Sequence, residues 1–291
     1  MRVCDDRPTT AKIMNLNPNA IPTFLLSFLL FGVGFYAAGR VVLGVGRTVL
    51  LIVAVLLAVP GLLSVLYYFH PFDQAAWFYN FKALPYAELT ASGLGFAAGI
   101  LQRWVEPQTT GGKLITPVTL ALLLFIPFMK SVLDPVDYGS LRSTCEGEVC
   151  LQSTASTCGP TSAATLLKLF GLKASEAELA RESFTYRGGT EVWYVIRALR
   201  KRGLSANVLI QAPGQISPPA PAIAGVVLSG GAGHFIAILS ENAETITVGD
   251  PLKGKLVIPR SALGSSYHFT GFFLVIRPGH SARSTTHFDR R

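Results

Sequence analysis

The sequence predicts a chain in two parts, an N-terminal α-helical transmembrane bundle of about four spans followed by an α+β domain. Three observations predict it. Only 14% of the residues are charged and the mean hydropathy is +0.43, whereas soluble chains carry roughly a quarter charged residues. The long apolar runs all lie before residue 135. After that point come short helical patterns and then a series of apolar strands, an order that suggests helices packed on an antiparallel sheet. A length of 291 residues accommodates both parts. The expected boundaries are a polar tail over 1–19, a membrane domain over 20–134, the second domain over 135–278 and a disordered tail over 279–291.

The N-terminal tail carries Arg2, Arg7 and Lys12, partly offset by Asp5 and Asp6. It does not read as a signal peptide, because the apolar run starts late and further spans follow. Cys4 has no partner nearby in sequence. The four spans are expected at 21–39, 49–69, 84–101 and 115–133, each near the length that crosses a bilayer. Pro60-Gly61 should kink the second. The third is the weakest: it holds Glu88 and many small residues, among them Gly93, Gly95 and Gly99, which suit close helix packing in lipid. Three spans remain the alternative if it lies at the interface. Lys130, near the end of the fourth, can snorkel to the surface.

Glu88 has two readings. An acidic side chain in a span is a default functional hypothesis. Its place one turn inside Pro85-Tyr86 favours the plainer one, a wetted or hydrogen-bonded residue near the interface. Arg40 and Arg47 flank the first loop and Arg103 and Lys113 the third, so both loops should face the cytoplasm. With four spans the second domain then lies outside it. The net charge of +8 does not point to nucleic acid, since many basic residues flank apolar spans. No Gly-x-x-x-x-Gly-Lys-Ser/Thr phosphate loop occurs, so no nucleotide is expected.

The second domain is organised around residues 152–170. Cys158-Gly159-Pro160 opens an apolar run at helical spacing that Gly171 stops. Pro160 fits a first helical turn. Cys158 thus sits at a helix N-terminus, where unpaired N–H groups and the dipole favour the nucleophilic thiolate. Gly159 would keep the approach to the sulfur open, and Gln152, six positions upstream, could return its amide to an oxyanion there. His234 begins an apolar strand after a glycine-rich turn, and Asp250 ends the next strand, before Pro251. Two such neighbouring strands can bring an imidazole and an orienting carboxylate together. Taken singly, each residue has a structural alternative: a buried cysteine, a packed histidine, an Asp-Pro turn. Cys145 and Cys150 bracket four residues just ahead of the motif. A disulfide fits an oxidising compartment; free thiols and half a metal site are the alternatives, and no second Cys or His pair completes a zinc spacing.

Two helices are expected after the motif, from Ser175 and from Glu191, then strands at 206–210, 222–228, 234–239, 245–248, 255–258 and 271–276. Trp193 and Tyr194 could line a groove, although aromatic residues on a helix usually belong to the core.

The Gln…Cys-Gly, His-Phe and Asp-Pro pattern resembles the bacteriocin-processing, double-glycine cysteine peptidases, best known as the N-terminal domain of peptidase-containing ABC transporters. The match covers roughly residues 145 to 278. The resemblance implies a papain-like fold, with Cys158 as nucleophile, His234 as general base, Asp250 as orienting acid and Gln152 as oxyanion donor. It implies cleavage of a peptide or protein substrate, such as a leader peptide, after a pair of small residues, with no cofactor. Two features depart from the family: Pro160 replaces the usual small residue, and the peptidase-like part follows the membrane part. Export, where it matters, would fall to a separate membrane partner. A membrane-anchored peptide-binding module without catalysis, and a thiol amidase or transpeptidase using the same residues, are the alternatives.

Overall fold

The computed structural model describes residues 15–41, 44–66, 72–105, 110–212 and 216–279. Cys4, the charged residues of the N-terminal tail and the expected disordered tail from residue 280 onward lie outside the described residues.

The N-terminal half contains α1 (Ala20–Arg40), α2 (Val45–Val65), α3 (Ala76–Lys82), a 3₁₀ segment (Ala87–Ser92) that runs into α4 (Gly93–Trp104), and α5 (Thr110–Leu133). By length and composition three helices can cross a bilayer: Ala20–Arg40, Val45–Val65 and Lys113–Leu133. The expected third span is not one continuous helix but the 3₁₀ segment joined to α4. It nevertheless makes a full pass of the bundle. At one end Asn19 donates to Glu88 at 2.8 Å; at the other Trp104 Nε1 donates to the Ala38 carbonyl at 3.0 Å. Asn19 and Ala38 are about 28 Å apart along a helix at 1.5 Å per residue.

The glycines set how closely α4 passes its neighbours. A Cβ on Gly95 would lie 2.0 Å from the Ser27 carbonyl oxygen, and one on Gly99 2.1 Å from that of Phe31. Side chains of Thr23, Ser27 and Ser64 are fully buried between the helices, whereas Leu25, Leu29 and Leu56 face outward. Pro60 lies within α2, where Thr90 donates to its carbonyl at 3.1 Å.

The C-terminal half starts with a small hairpin of β1 (Cys145–Glu146) and β2 (Val149–Cys150). Next come α6 (Cys158–Leu169), α7 (Glu176–Glu182) and α8 (Val192–Lys201). Then follow β3 (Leu204–Ile210), β4 (Ala222–Val227), β5 (Gly233–Glu241), β6 (Thr245–Asp250), β7 (Gly254–Pro259), the short α9 (Leu263–Ser266) and β8 (His268–Pro278). The six longer strands form one antiparallel sheet in the order β3-β8-β4-β5-β6-β7. Helix boundaries follow local chemistry: Gly171 takes φ +71° beyond the end of α6, and the Ser175 hydroxyl accepts the Glu178 N–H at 3.1 Å to cap α7.

One sheet face packs against α6 and α8 through Leu166, Ile196, Leu199 and Ile223; the other buries Ile236, Ile246 and Phe273. The first core does not stop at the domain boundary. Phe78 and Ala83, from α3 and just beyond it, are buried in the same cluster as Trp193, Ile196 and Leu199. Trp193 and Tyr194 accordingly belong to the core at this junction and do not line the cleft.

Glu88 lies at this junction too, and of the plainer reading the hydrogen-bonded form holds and the wetted form does not. It is fully buried, and the two terminal nitrogens of Arg197 on α8 lie 2.9 and 3.1 Å from its carboxylate oxygens. Arg197 also donates to the Lys82 carbonyl at 2.6 Å, and Asn17 donates to the Tyr194 hydroxyl at 3.2 Å. Lys130 pairs with Glu191 at 2.6 Å instead of reaching outward.

Candidate active site

Cys158 is the first residue of α6, buried and not in a disulfide. The missing N–H of Pro160 falls in the first turn, where it needs no partner. The Ser162 hydroxyl donates to the Phe235 carbonyl at 3.1 Å and pins α6 to β5. Gly159 faces that packed side: an added Cβ would meet Phe235, Thr190 and Val195 at ordinary contact distances of 3.5 to 3.7 Å. A methyl group there would displace no neighbour, so packing alone does not require a glycine at this position.

His234 lies at the start of β5 and Asp250 at the end of β6. Because the strands are antiparallel, with Ala237 opposite Gly249, these two ends adjoin. His234 Nε2 lies 3.0 Å from Asp250 Oδ1, and Cys158 is the other side chain that acts on the ring, lining the same cleft. With Nε2 engaged, Nδ1 is the ring nitrogen left for the sulfur. Both side chains are buried. Burial by itself pulls the His234 pKa down, but the hydrogen bonds to Asp250 and Cys158, with the charges of both, raise it to about 9.

Asp250 is fully buried, which alone would raise its pKa. Three donors outweigh that and lower it: His234, the Leu252 N–H at 2.9 Å, and the Tyr267 hydroxyl at 2.6 Å on Oδ2. Tyr267 was not legible in the sequence. It precedes β8 in a stretch with no motif, and only the sheet topology brings it to Asp250.

Gln152 is tied to the same region by its backbone, whose N–H donates to the Pro251 carbonyl at 3.0 Å. Its side chain does not line the cleft: Nε2 donates to the Thr154 carbonyl at 2.7 Å, and Oε1 is buried without a hydrogen bond. One amide hydrogen stays uncommitted. Cys145 and Cys150 are joined by a disulfide of 2.07 Å that closes the β1–β2 hairpin two residues before Gln152.

Cys158 and His234 open onto a cleft of about 470 Å³. Gly188, Gly189 and Thr190 form one side and Phe235 and Phe272 part of another. Asp73, Gln74 and Tyr79, from the connector between α2 and the 3₁₀ segment, also line it. The sequence carried no sign that the N-terminal half reaches the cleft.

Residues 147–281 match the model of the peptidase C39 family, a range that takes in Gln152, Cys158, His234 and Asp250. An uncharacterised protein of Methanothermobacter marburgensis is 34% identical over 125 residues, 43% of this chain and 84% of the relative. Another from Methanothermobacter thermautotrophicus is 30% identical over 138 residues, 47% of this chain and 94% of the relative. Among solved structures, the peptidase domain of Streptococcus ComA, a bifunctional ABC transporter of a quorum-sensing pathway, aligns with a TM-score of 0.37 at 19% identity, covering 48% of this chain and 98% of that domain. A double-glycine-motif protease from an AMS/PCAT transporter, solved with its leader peptide, gives 0.38 at 24% identity, covering 47% of this chain and 94% of that one. Through its C-terminal half, this chain belongs to the peptidase C39 family and is a cysteine peptidase.

Proposed function

We infer that this protein is a membrane-embedded peptidase that cleaves peptide bonds through a Cys158–His234–Asp250 triad. One observation carries the reading: a buried imidazole is held between the only unbridged cysteine among the described residues and a buried carboxylate 3.0 Å away. His234 Nδ1 takes the thiol proton and Cys158 Sγ attacks the substrate carbonyl carbon. Asp250 holds the ring through Nε2–H and offsets the positive charge that forms. The backbone N–H of Cys158 meets the oxyanion, joined by the Gln152 amide once it turns from the Thr154 carbonyl into the cleft. The imidazolium returns its proton to the leaving amine, and water cleaves the thioester to regenerate the thiol.

The substrate is an extended peptide cut after small residues, a leader peptide being the class that family membership suggests. Gly188, Gly189 and Gly233 line the rim, where the lack of a side chain lets an extended backbone approach closely. The end of the bundle that carries Arg40, Arg47 and Arg103 faces the cytoplasm and the peptidase domain faces away from it, in keeping with the positive-inside rule and the Cys145–Cys150 bridge. A partner chain would move any product across the membrane.

The test is the iodoacetamide rate at Cys158 across pH, in the intact protein and in His234→Ala. A rate that stays high well below pH 8 and collapses in the variant fits an activated pair. An ordinary thiol profile, equal in both proteins, would sink the peptidase reading.

A further inference from the structure

The two carboxylate oxygens of Asp250 are held differently. Oδ1 takes the His234 Nε2 contact at 3.0 Å and the Leu252 N–H at 2.9 Å. Oδ2 faces the Tyr267 hydroxyl at 2.6 Å, the one donor it has among the described residues. Tyr267 is itself buried. Its ring packs in the second core of the sheet with Ile236, Ile246 and Phe273, edge-on to Phe269 at 6.1 Å. Its N–H bonds the Leu263 carbonyl at 3.0 Å, so the short α9 fixes where the ring enters that core. A tyrosine so buried needs a partner for its hydroxyl. Burial and the Asp250 charge push the phenol far above its ordinary pKa, so it remains a donor wherever the site works. Lys253, in the turn after β6, lies over the ring at 5.1 Å from its centroid.

We propose that Tyr267 is a positioning residue for the peptidase reaction: by donating to Oδ2 it locks the plane of the Asp250 carboxylate, so that Oδ1 stays aimed at His234 Nε2. The proposal rests on the peptidase reading above. A carboxylate bound through one oxygen still turns about its Cβ–Cγ bond, a broad torsion; bonds on both oxygens stop that turning. Without the hydroxyl, Oδ2 would also be a fully buried charged oxygen with no donor. Tyr267 does not line the cleft, so it meets no substrate. It acts through Asp250 on the imidazole, and through the imidazole on the Cys158 thiolate. The other charged or titratable groups bordering this chain are Lys253, over the phenol, and Asp73, on the cleft wall.

The probe is alkylation of Cys158 by iodoacetamide in the full-length protein in detergent, whose rate below about pH 8 reports the thiolate that His234 stabilises. Tyr267→Phe keeps the ring in the core and removes only the donor. At about pH 7 the rate should fall about tenfold, the size of one hydrogen bond to a charged group. Near about pH 10, where a thiol ionises unaided, it should converge on the rate of the unaltered protein. The His234 ring titration, followed by NMR, should move from about 9 back toward 6.5. A packing role for the phenol would alter labelling at every pH and leave that midpoint alone. Asp250→Ala should bring its own loss, and Tyr267→Phe added to it should change nothing further, because the hydroxyl then has no carboxylate to hold. The double variant leaves no buried carboxylate short of a donor, so this comparison holds even where the single variant is unstable. A rate and midpoint unchanged in Tyr267→Phe, or a further fall when it is added to Asp250→Ala, overturns the proposal while the peptidase reading stands. Iodoacetamide labelling that is indifferent to His234→Ala removes the peptidase reading itself.

Discussion

The two halves of the molecule use the same apolar alphabet for opposite purposes. In the peptidase half, Leu166, Ile196, Ile236 and Phe273 are fully buried. In the membrane half, Leu25, Leu29 and Leu56 point outward, while Thr23, Ser27, Ser64 and the glycines of α4 fill the interior. Water rewards burial of large side chains. Lipid is as apolar as leucine, so helices there associate through small residues and internal hydrogen bonds. The junction obeys both rules at once: Phe78 and Ala83 enter the peptidase core, and Glu88 meets Arg197 beside them.

That contrast can be broken at the junction first. Glu88→Gln leaves the half-buried Arg197 without its counter-charge, and the intact protein should lose about 3 kcal/mol in a denaturant titration in detergent. Glu88→Leu combined with Arg197→Met should recover much of the loss; no recovery would mean that the pair does more than neutralise itself.

Next in size is a residue whose place lies wholly in the peptidase half. Gln152→Ala should lower kcat about 10²–10³-fold if the uncommitted amide hydrogen meets the oxyanion. A normal kcat with a lower unfolding temperature would instead make Gln152 a brace for the Thr154 loop.

The pH profile gives a smaller effect. His234 is raised from 6.5 to about 9, so the imidazolium that protonates the leaving amine in the proposed mechanism persists to that pH. Hydrolysis should fall about tenfold per unit above it. The folded state holds this proton more tightly than the unfolded one, so His234 contributes its full stabilisation below about 6.5 and loses it as pH rises through about 9. In Cys158→Ala, which removes one cause of the shift, the loss of stability should move to lower pH.

The finest test sets two neighbouring sites in the membrane half against each other. Gly95→Ala drives a Cβ into the Ser27 carbonyl and should cost about 1–3 kcal/mol, whereas Leu29→Ala, on the outward face, should change stability by less than about 0.5 kcal/mol in detergent. Equal effects would mean that this half does not pack by smallness.

What was legible in the sequence was what local periodicity and turn chemistry encode. Residues 206–210 form a short apolar run and 245–248 alternate, both bounded by polar turns, so they read as strands, and they are strands. Cys158 before an apolar run with Pro160 read as a helix start for the same kind of reason. Pairings made across the chain were not legible. Glu88 and Arg197 are separated by 109 residues, and nothing near Glu88 announces a basic partner on a helix of the other half. Tyr267 bonds Asp250 only because β8 crosses between β3 and β4. The third span was legible as weak and rich in small residues; that its first part would wind as a 3₁₀ segment was not.

The shared core around Phe78 and Ala83 bears on the order of assembly. A chain is synthesised from its N-terminus, so α3 and the end of α2 exist before Trp193, Ile196 and Leu199 have been translated. The seat is in place first, and the later half condenses onto it. A fragment begun after α5 would be born without that template, and the surface of α8 that should close against it would face solvent as an unhealed apolar scar.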